Sequence, residues 1–545
     1  MVNCWRCVAV ALGLAAVAVG NELAEETFEE DLYVKALPDG KVLSEFTFKT
    51  LLRGATPRSP LQLGLDDDEP QHYTLFPLAL GRILREYAVD ELHLSLNAGH
   101  WQYERWGMPE EPNVGTGAEL WAWLAAEDAR VLDARWSGVR NALAGLFCAT
   151  LGNMDEWRTT SPTLTFPPEG SLPAWNHTHH LRHATIPSEH VCTENLTPFR
   201  KLLPCKSQSG LAALLDPHHL FDGNWHGLGV HVQWLPEAGI EVRLTVQVVS
   251  DLLRTLNIDK RGKYPFLTLS RLSSSPDWSL RELFGRTINR ACPVASRSQI
   301  RVSLPTQESY QISPEPVSVE NNVAIYKVAQ DTAPMDVDMK WLSPLDSRTS
   351  MNASYPLSIR RALRSFSQER GQLSLTIKNT LPSEVQVRYL ETLPWFVQLY
   401  LHTMRIESSD TLQNARLSDI SYIPPIPHSR PTTFQATLSL PASSTTQITF
   451  DVDQAFLRYT EHLPDAQRGW DLPPAVFVPL NADPEVLPPT RIYTPILLVD
   501  LATPDFSMPY NVIILSCSLI AFLFGSTFNL LTRKFVVIRL DQVDK

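Results

Sequence analysis

With 545 residues the chain has material for two or three packed units, and 44% hydrophobic against 19% charged residues is ordinary globular composition. Proline, at 42, outnumbers glycine, at 24, which excludes collagen-like and glycine-rich linker classes and suits short strands joined by turns. A formal charge of -12 excludes nucleic acid as a partner, because phosphate binding needs clustered cations.

Residues 1–20 read as a secretory signal: Arg6 precedes an apolar run that ends at the small residues Ala18 and Gly20. Residues 21–235 mix helices with strands. In FPLALGRILREYAVD, Leu80, Ile83, Leu84 and Tyr87 share one helical face, with Pro77 suited to the first turn. ELHLSL alternates at Leu92, Leu94 and Leu96, a strand pattern. WSGVRNALAGLFCAT predicts a second helix, with Val139, Leu143, Leu146 and Phe147 on one face. Residues 159–190, rich in Pro, Thr, Ser and His, read as loop.

Over residues 236–508 the period changes to two. GIEVRLTVQVV, QIRVSL, QLSLTIKN, EVQVRYL, TFQATLSL and TQITFDVD predict antiparallel strands with one buried face. WFVQLYLHTMRI is more continuously apolar and predicts a central strand covered on both sides. Residues 509–532 supply about 20 mostly apolar residues without a charge, enough for one membrane crossing. Arg533 and Lys534 follow, so the tail over 533–545 is expected in the cytosol and the body in the lumen, a single-pass type I arrangement. The charged continuation RKFVVIRLDQVDK argues against a removable lipid-anchor signal. The expected fold is mainly β with an α+β N-terminal part: an antiparallel β-sandwich lumenal region and one C-terminal transmembrane helix.

In a lumenal body the cysteines can pair. Cys4 and Cys7 fall in the signal and Cys517 in the membrane span, leaving Cys148, Cys192, Cys205 and Cys292. Four thiols allow three full internal pairings, or a mixture in which one bonds to another chain. In VCTENLTPFRKLLPC, a Cys192–Cys205 ring would close about 14 residues and stabilise by about 3 kcal/mol. Asn176, Asn195 and Asn352 head glycan acceptor triplets.

NHTHHLRH gathers His177, His179, His180 and His183, but no second ligand motif completes a zinc site, and a solvated loop is the expected outcome. No cofactor fingerprint, P-loop or G-x-S-x-G elbow is present, and His190 lies too near Cys192 in sequence to serve it as base. These features predict a binding or assembly subunit rather than an enzyme. At the membrane entrance, Asp505, Ser507 and Asn511 keep polar groups at headgroup height. They read either as a capped helix start or as a polar shelf for a glycolipid.

FPLALGRILREYAVDELHLSL, GAELWAW, LAGLFCATL, VCTENLTPFRKLLPC, DWSL, CPVAS, LPWFVQLYLHT, and TPDFSMPYNVI with NLLTRKF together resemble the PIG-T family over nearly the whole chain. The resemblance implies a non-catalytic subunit of the endoplasmic-reticulum GPI transamidase, which removes a C-terminal signal from a proprotein and attaches a preassembled GPI anchor. It implies an interchain disulfide from Cys192 to the caspase-like catalytic subunit, with Cys205 pairing elsewhere or staying buried. It also implies GPI contacts at Asp505, Ser507 and Asn511. A further family contact falls at Gln467, where the family pattern has asparagine. Other membrane subunits, the GPI glycolipid and proprotein substrates are the implied partners, with no cofactor and no metal. Two other classes stand beside this reading: a free-standing lumenal lectin-like or cargo-receptor protein, and a hydrolase using Cys192.

Overall fold

The N-terminal half is built on long hairpins. β1 (Glu26–Ala36) and β2 (Val42–Arg53) pair antiparallel along their whole length. Their turn is tied by Leu37 N–H to Lys41 O at 2.8 Å, with Gly40 at φ 78. The structure, a computed structural model, describes residues 26–63, 73–252, 277–305, 310–329, 334–342, 355–503 and 507–534, apart from 366, 368, 410–414, 463–467 and 485. The expected signal over 1–20 and most of the tail lie outside these residues.

β3 (Val89–Ala98), β4 (Gly117–Ala126), β5 (Thr159–Thr160), β6 (Thr178–Ile186), β7 (Trp225–Leu235) and β8 (Gly239–Ser250) extend the hairpin into an eleven-stranded sheet. Its order is Ser318–Glu320, Val323–Lys327, Arg297–Ser303, β1, β2, β8, β7, β3, β4, β6, β5. Arg297–Ser303 runs parallel to β1, and the other pairings are antiparallel. The expected division after residue 235 falls in the turn between β7 and β8, inside this sheet.

Both faces of the sheet are covered. Leu92, Leu94 and Leu96 face a core shared with the helices Leu78–Glu86, Ala129–Phe147 and Thr193–Leu202. Trp121 and Trp225 face the other way, into a core with Trp101, Phe166 and the C-terminal sandwich. Burying a ring of that size stabilises by about 3 kcal/mol.

The sandwich packs a four-stranded sheet, in the order Leu357–Ser365, Arg370–Asn379, Thr445–Gln454, Val397–Ser408, on a five-stranded one. The second sheet runs Arg416–Ile423, Thr432–Leu440, Val385–Leu393, Val476–Pro479, Ile492–Tyr493. Alternate residues interdigitate between the two sheets, as Phe434 meets Phe450 edge-on at 5.6 Å. The fold is thus mainly β, with several antiparallel sheets and one long apolar C-terminal helix, Ser507–Thr532.

Three expectations are corrected. WFVQLYLHTMRI is not a central strand: Val397–Ser408 lies at the edge of its sheet and is half-exposed beyond Leu399. Its apolar run serves one buried face and one contact with the rest of the chain, such as Tyr422 Oη donating to Leu399 O at 3.0 Å. Residues 159–190 are not all loop. They contain β5 and β6, whose histidines are tolerated because each finds a polar partner. The second helix begins earlier than WSGVRN, at Ala129, where the Asp128 side chain accepts from the Arg130 amide at 3.3 Å.

Candidate functional site

β6 ends at Ile186, and a short turn leads into the helix Thr193–Leu202, with Cys192 as its N-cap in extended backbone. Leu196, Phe199 and Leu202 hold the helix against the core beside Ala129–Phe147. Asn195, the third helical residue, closes a capping box: its Oδ1 accepts from the Cys192 amide at 2.8 Å and lies 3.1 Å from Cys192 Sγ. Its Nδ2 donates to Phe147 O at 2.8 Å and reaches Cys148 O at 3.5 Å.

Asn195 is therefore 1% exposed. Its amide is committed on both sides, and a glycan on Nδ2 would have to occupy the core. Packing of this amide therefore competes with its use as a glycan acceptor. Asn176, by contrast, is exposed just before β6, and Asn352 lies outside the described residues.

Beyond the helix, Cys205 is disulfide-bonded to Cys292 across 87 residues, with Cα atoms 5.9 Å apart. By loop entropy this bond stabilises by about 4–5 kcal/mol. It removes the Cys192–Cys205 ring from consideration and answers the pairing left open by the residue pattern. Cys148, at the left-handed end of Ala129–Phe147 with φ 54, is free and exposed, whereas Cys192 is free and half-buried.

Burial and a hydrogen bond with Glu194 push the Cys192 thiol above its ordinary range. A thiol held protonated is a poor nucleophile. His190 turns its Nδ1 toward Asn97 O instead, at 3.5 Å. The hydrolase reading has no histidine base at this cysteine among the described residues, and Glu194 keeps the thiol protonated.

The histidine cluster lies on β6 and its approach, where each ring is used separately. His177 meets Glu127 at 3.2 Å, and His179 meets Asp90 and Pro173 O, each at 2.8 Å. His180 meets Thr178 at 2.8 Å, and His183 meets Glu119 at 3.0 Å and Thr160 at 3.1 Å. Alternation along a strand sends neighbouring rings to opposite faces, so they do not converge. No metal-holding group of His, Cys, Asp and Glu occurs among the described residues.

A buried polar network joins the large sheet to the sandwich. His93 Nε2 meets Glu91 at 3.0 Å, and its Nδ1 meets His231 Nδ1 at 3.0 Å. Arg491 pairs with Glu169 and donates to Asn113 at 2.9 Å, while Tyr493 Oη donates to Glu119 at 2.7 Å. Burial alone would raise the Glu169 pKa, but His93 and Arg491 beside it hold it down at about 2. The alternating pattern of β3 conceals this network, because Glu91 and His93 occupy positions where a half-exposed strand would carry solvated polar residues. A cue exists in the pairing of acidic residues with His93, His183 and His231, but their partners come from distant segments.

At the membrane entrance, Asn511 is exposed on the apolar helix, and Ser507 is its first residue. Asp505 and Gln467 lie outside the described residues, while Ser507 and Asn511 stand four positions apart on this helix. Tyr510–Thr532 is one helix long and apolar enough to span a membrane, with none of its apolar window buried against the rest of the chain.

The Gpi16 subunit family, described as a GPI transamidase component, matches the chain over residues 11–545. The human GPI-anchor transamidase component PIGT is 33% identical over 564 residues, covering 94% of this chain and 91% of that protein. The mouse protein of the same name is 34% identical, covering 94% and 90%. The yeast GPI transamidase component GPI16 is 30% identical, covering 95% and 90%. Together with the predominantly β body and the single C-terminal apolar helix, these matches show that the chain belongs to the Gpi16/PIG-T family of GPI transamidase components.

Proposed function

We propose that this chain is a non-catalytic subunit of the endoplasmic-reticulum GPI transamidase, which attaches preassembled GPI anchors to proprotein C-termini. It spans the membrane once, with its bulk in the lumen and Arg533 and Lys534 at the cytosolic end of the span. Cys192 links it by an interchain disulfide to the caspase-like catalytic subunit. The supporting observation is the Cys205–Cys292 bond, which consumes the cysteine nearest in sequence and leaves Cys192 a half-buried, protonated thiol at a helix start. Such a thiol suits a stable covalent link better than catalysis.

Asp505, Ser507 and Asn511, with Gln467 from a lumenal loop, form a polar shelf for the anchor. A carboxylate, a hydroxyl and two amides suit sugar hydroxyls and an ethanolamine ammonium. Glycans on Asn176 and Asn352 face the lumen in this reading.

Non-reducing electrophoresis of the membrane complex tests the link: a heavier species is expected that Cys192→Ser abolishes. A Cys192→Ser chain that still runs in the heavier band overturns it. For the shelf, Asp505→Ala combined with Asn511→Ala should lower cell-surface display of GPI-anchored proteins while the complex still co-purifies. Unchanged display returns these residues to a simple helix start.

A further inference from the structure

The pattern Asn-Leu-Thr beside Cys192 marks a glycan acceptor in sequence, yet in the fold its asparagine has another task. Asn195 Oδ1 accepts the amide hydrogen of Cys192 at 2.8 Å and lies 3.1 Å from its Sγ, whose single hydrogen it shares with Glu194. On its other side Nδ2 is anchored to the last carbonyls of the helix Ala129–Phe147, at 2.8 Å to Phe147 O and 3.5 Å to Cys148 O. One side-chain amide thus ties the end of one helix to the start of the next, at the residue that carries the thiol. Leu196 and Phe199, both at most 1% exposed, keep that amide in place from below.

We infer that Asn195 is the positioning residue for Cys192: its buried amide aims the thiol outward for the interchain bond, and it carries no glycan. The inference rests on the reading of Cys192 as the linking cysteine. Closing that bond removes one proton from each thiol and two electrons in total, which a protein disulfide oxidant of the lumen accepts, leaving as a dithiol. Asn195 takes no part in the electron transfer. It restricts Cys192 to the rotamers that leave Sγ at the surface end of the capping box, where a second thiol can approach. A sugar on Nδ2 would replace a hydrogen that faces the Phe147 and Cys148 carbonyls. Since glycans are added at this atom, a modified chain could not seat the two helices as they are packed.

Thr197 separates the two roles of the triplet. Its Oγ1 is exposed and donates back to Thr193 O at 3.2 Å, away from Cys192. Thr197→Ala therefore destroys the acceptor signal while leaving the Asn195 amide untouched.

The test uses the full chain in its membrane complex, expressed as wild type, Thr197→Ala, Asn195→Ala, Asn195→Asp and Cys192→Ser. Mobility is compared before and after enzymatic deglycosylation, and the interchain-bonded fraction is read on non-reducing gels. Thr197→Ala is expected to match wild type in both measurements. Asn195→Ala should lower the rate of interchain bonding about fivefold, the factor set by losing one capping hydrogen bond, with the Cys205–Cys292 bond intact. Asn195→Asp keeps an acceptor for the Cys192 amide and should recover part of that rate, which general misfolding would not allow.

A glycan that disappears in Thr197→Ala overturns the inference, as does an Asn195→Ala chain that bonds at the wild-type rate. If Cys192→Ser keeps the heavier band, the linking role itself fails, which is a separate outcome. Should Asn195→Ala fail to accumulate, the Asn195→Asp rate decides: a rate equal to wild type sinks the role of the anchored amide.

Discussion

Glu30, on β1, is 1% exposed, and its carboxyl accepts from Ser298 Oγ at 2.6 Å and from the Leu211 amide at 3.2 Å. Burial outweighs both hydrogen bonds and pushes its pKa up from 4.5 to about 7. A carboxyl whose folded pKa exceeds its unfolded one favours the native state while it is protonated. That contribution is fully present below about pH 4.5 and is lost as pH rises through about 7. The full shift corresponds to about 3 kcal/mol at most. Glu30→Gln keeps an acceptor for both donors and removes the charge. The variant should melt above wild type at pH 8, by an amount worth about 2 kcal/mol, and match it at pH 4.5. Thermal unfolding of the detergent-solubilised chain at the two values measures this, and equal melting points at pH 8 would count against a buried charge. In EETFEEDLYVKA the alternation puts Glu30 on the buried face with Phe28, Leu32 and Val34, whereas Glu29 and Asp31 are half-buried on the other. Its burial comes from Leu211 and Ser298, far along the chain.

Elements were legible where periodicity and burial agree. Leu80 and Leu84 marked a helix, and Leu92, Leu94 and Leu96 a strand, because one apolar face was enough to decide each. The apolar tail Tyr510–Thr532 was legible as a membrane span from its length and composition, with the charges that follow it arguing against a removable lipid-anchor signal. β6 was not, because THHLRHATI lacks an apolar face that repeats. Its strand is made by pairing with β4 along nine residues, from Thr178 opposite Ala126 to Ile186 opposite Ala118. Tertiary partners override propensity in such a segment. The strand Val397–Ser408 failed in the opposite direction, since apolar content alone does not tell an edge from a centre. Around Cys192 the linking residue was carried by family resemblance, while the Asn195 capping box was available in the pattern Cys192-x-x-Asn195 and was masked by the glycan triplet.

At the scale of the molecule, the large sheet and the sandwich meet across Trp101, Trp121, Trp225 and Phe166, and the polar contacts of Arg491 fix how they meet. Arg491 lies just before the sandwich strand Ile492–Tyr493, stacks its guanidinium over Trp121 at 5.1 Å and Phe166 at 4.9 Å, and pairs with Glu169. Apolar contact alone permits sliding; a charge pair with a defined partner does not. Removing Arg491 leaves the largely buried Glu169 carboxylate with only His93 beside it, which costs more than the pair contributes. Arg491→Met should therefore destabilise the chain by about 2–4 kcal/mol. Arg491→Met with Glu169→Gln should recover part of the loss, because the stranded carboxylate is gone. Glu169 has a depressed pKa of about 2, so its contribution is present above the unfolded value near 4.5 and is lost as pH falls through about 2. The penalty in Arg491→Met should accordingly persist from neutral pH down to about 4.5 and shrink below it. Denaturant unfolding of the solubilised chain, followed by tryptophan fluorescence, reads the joint through Trp101, Trp121 and Trp225. If the single and double variants lose equal stability at neutral pH, the Arg491–Glu169 pair is not what fixes the two halves, and the aromatic contacts alone set their arrangement.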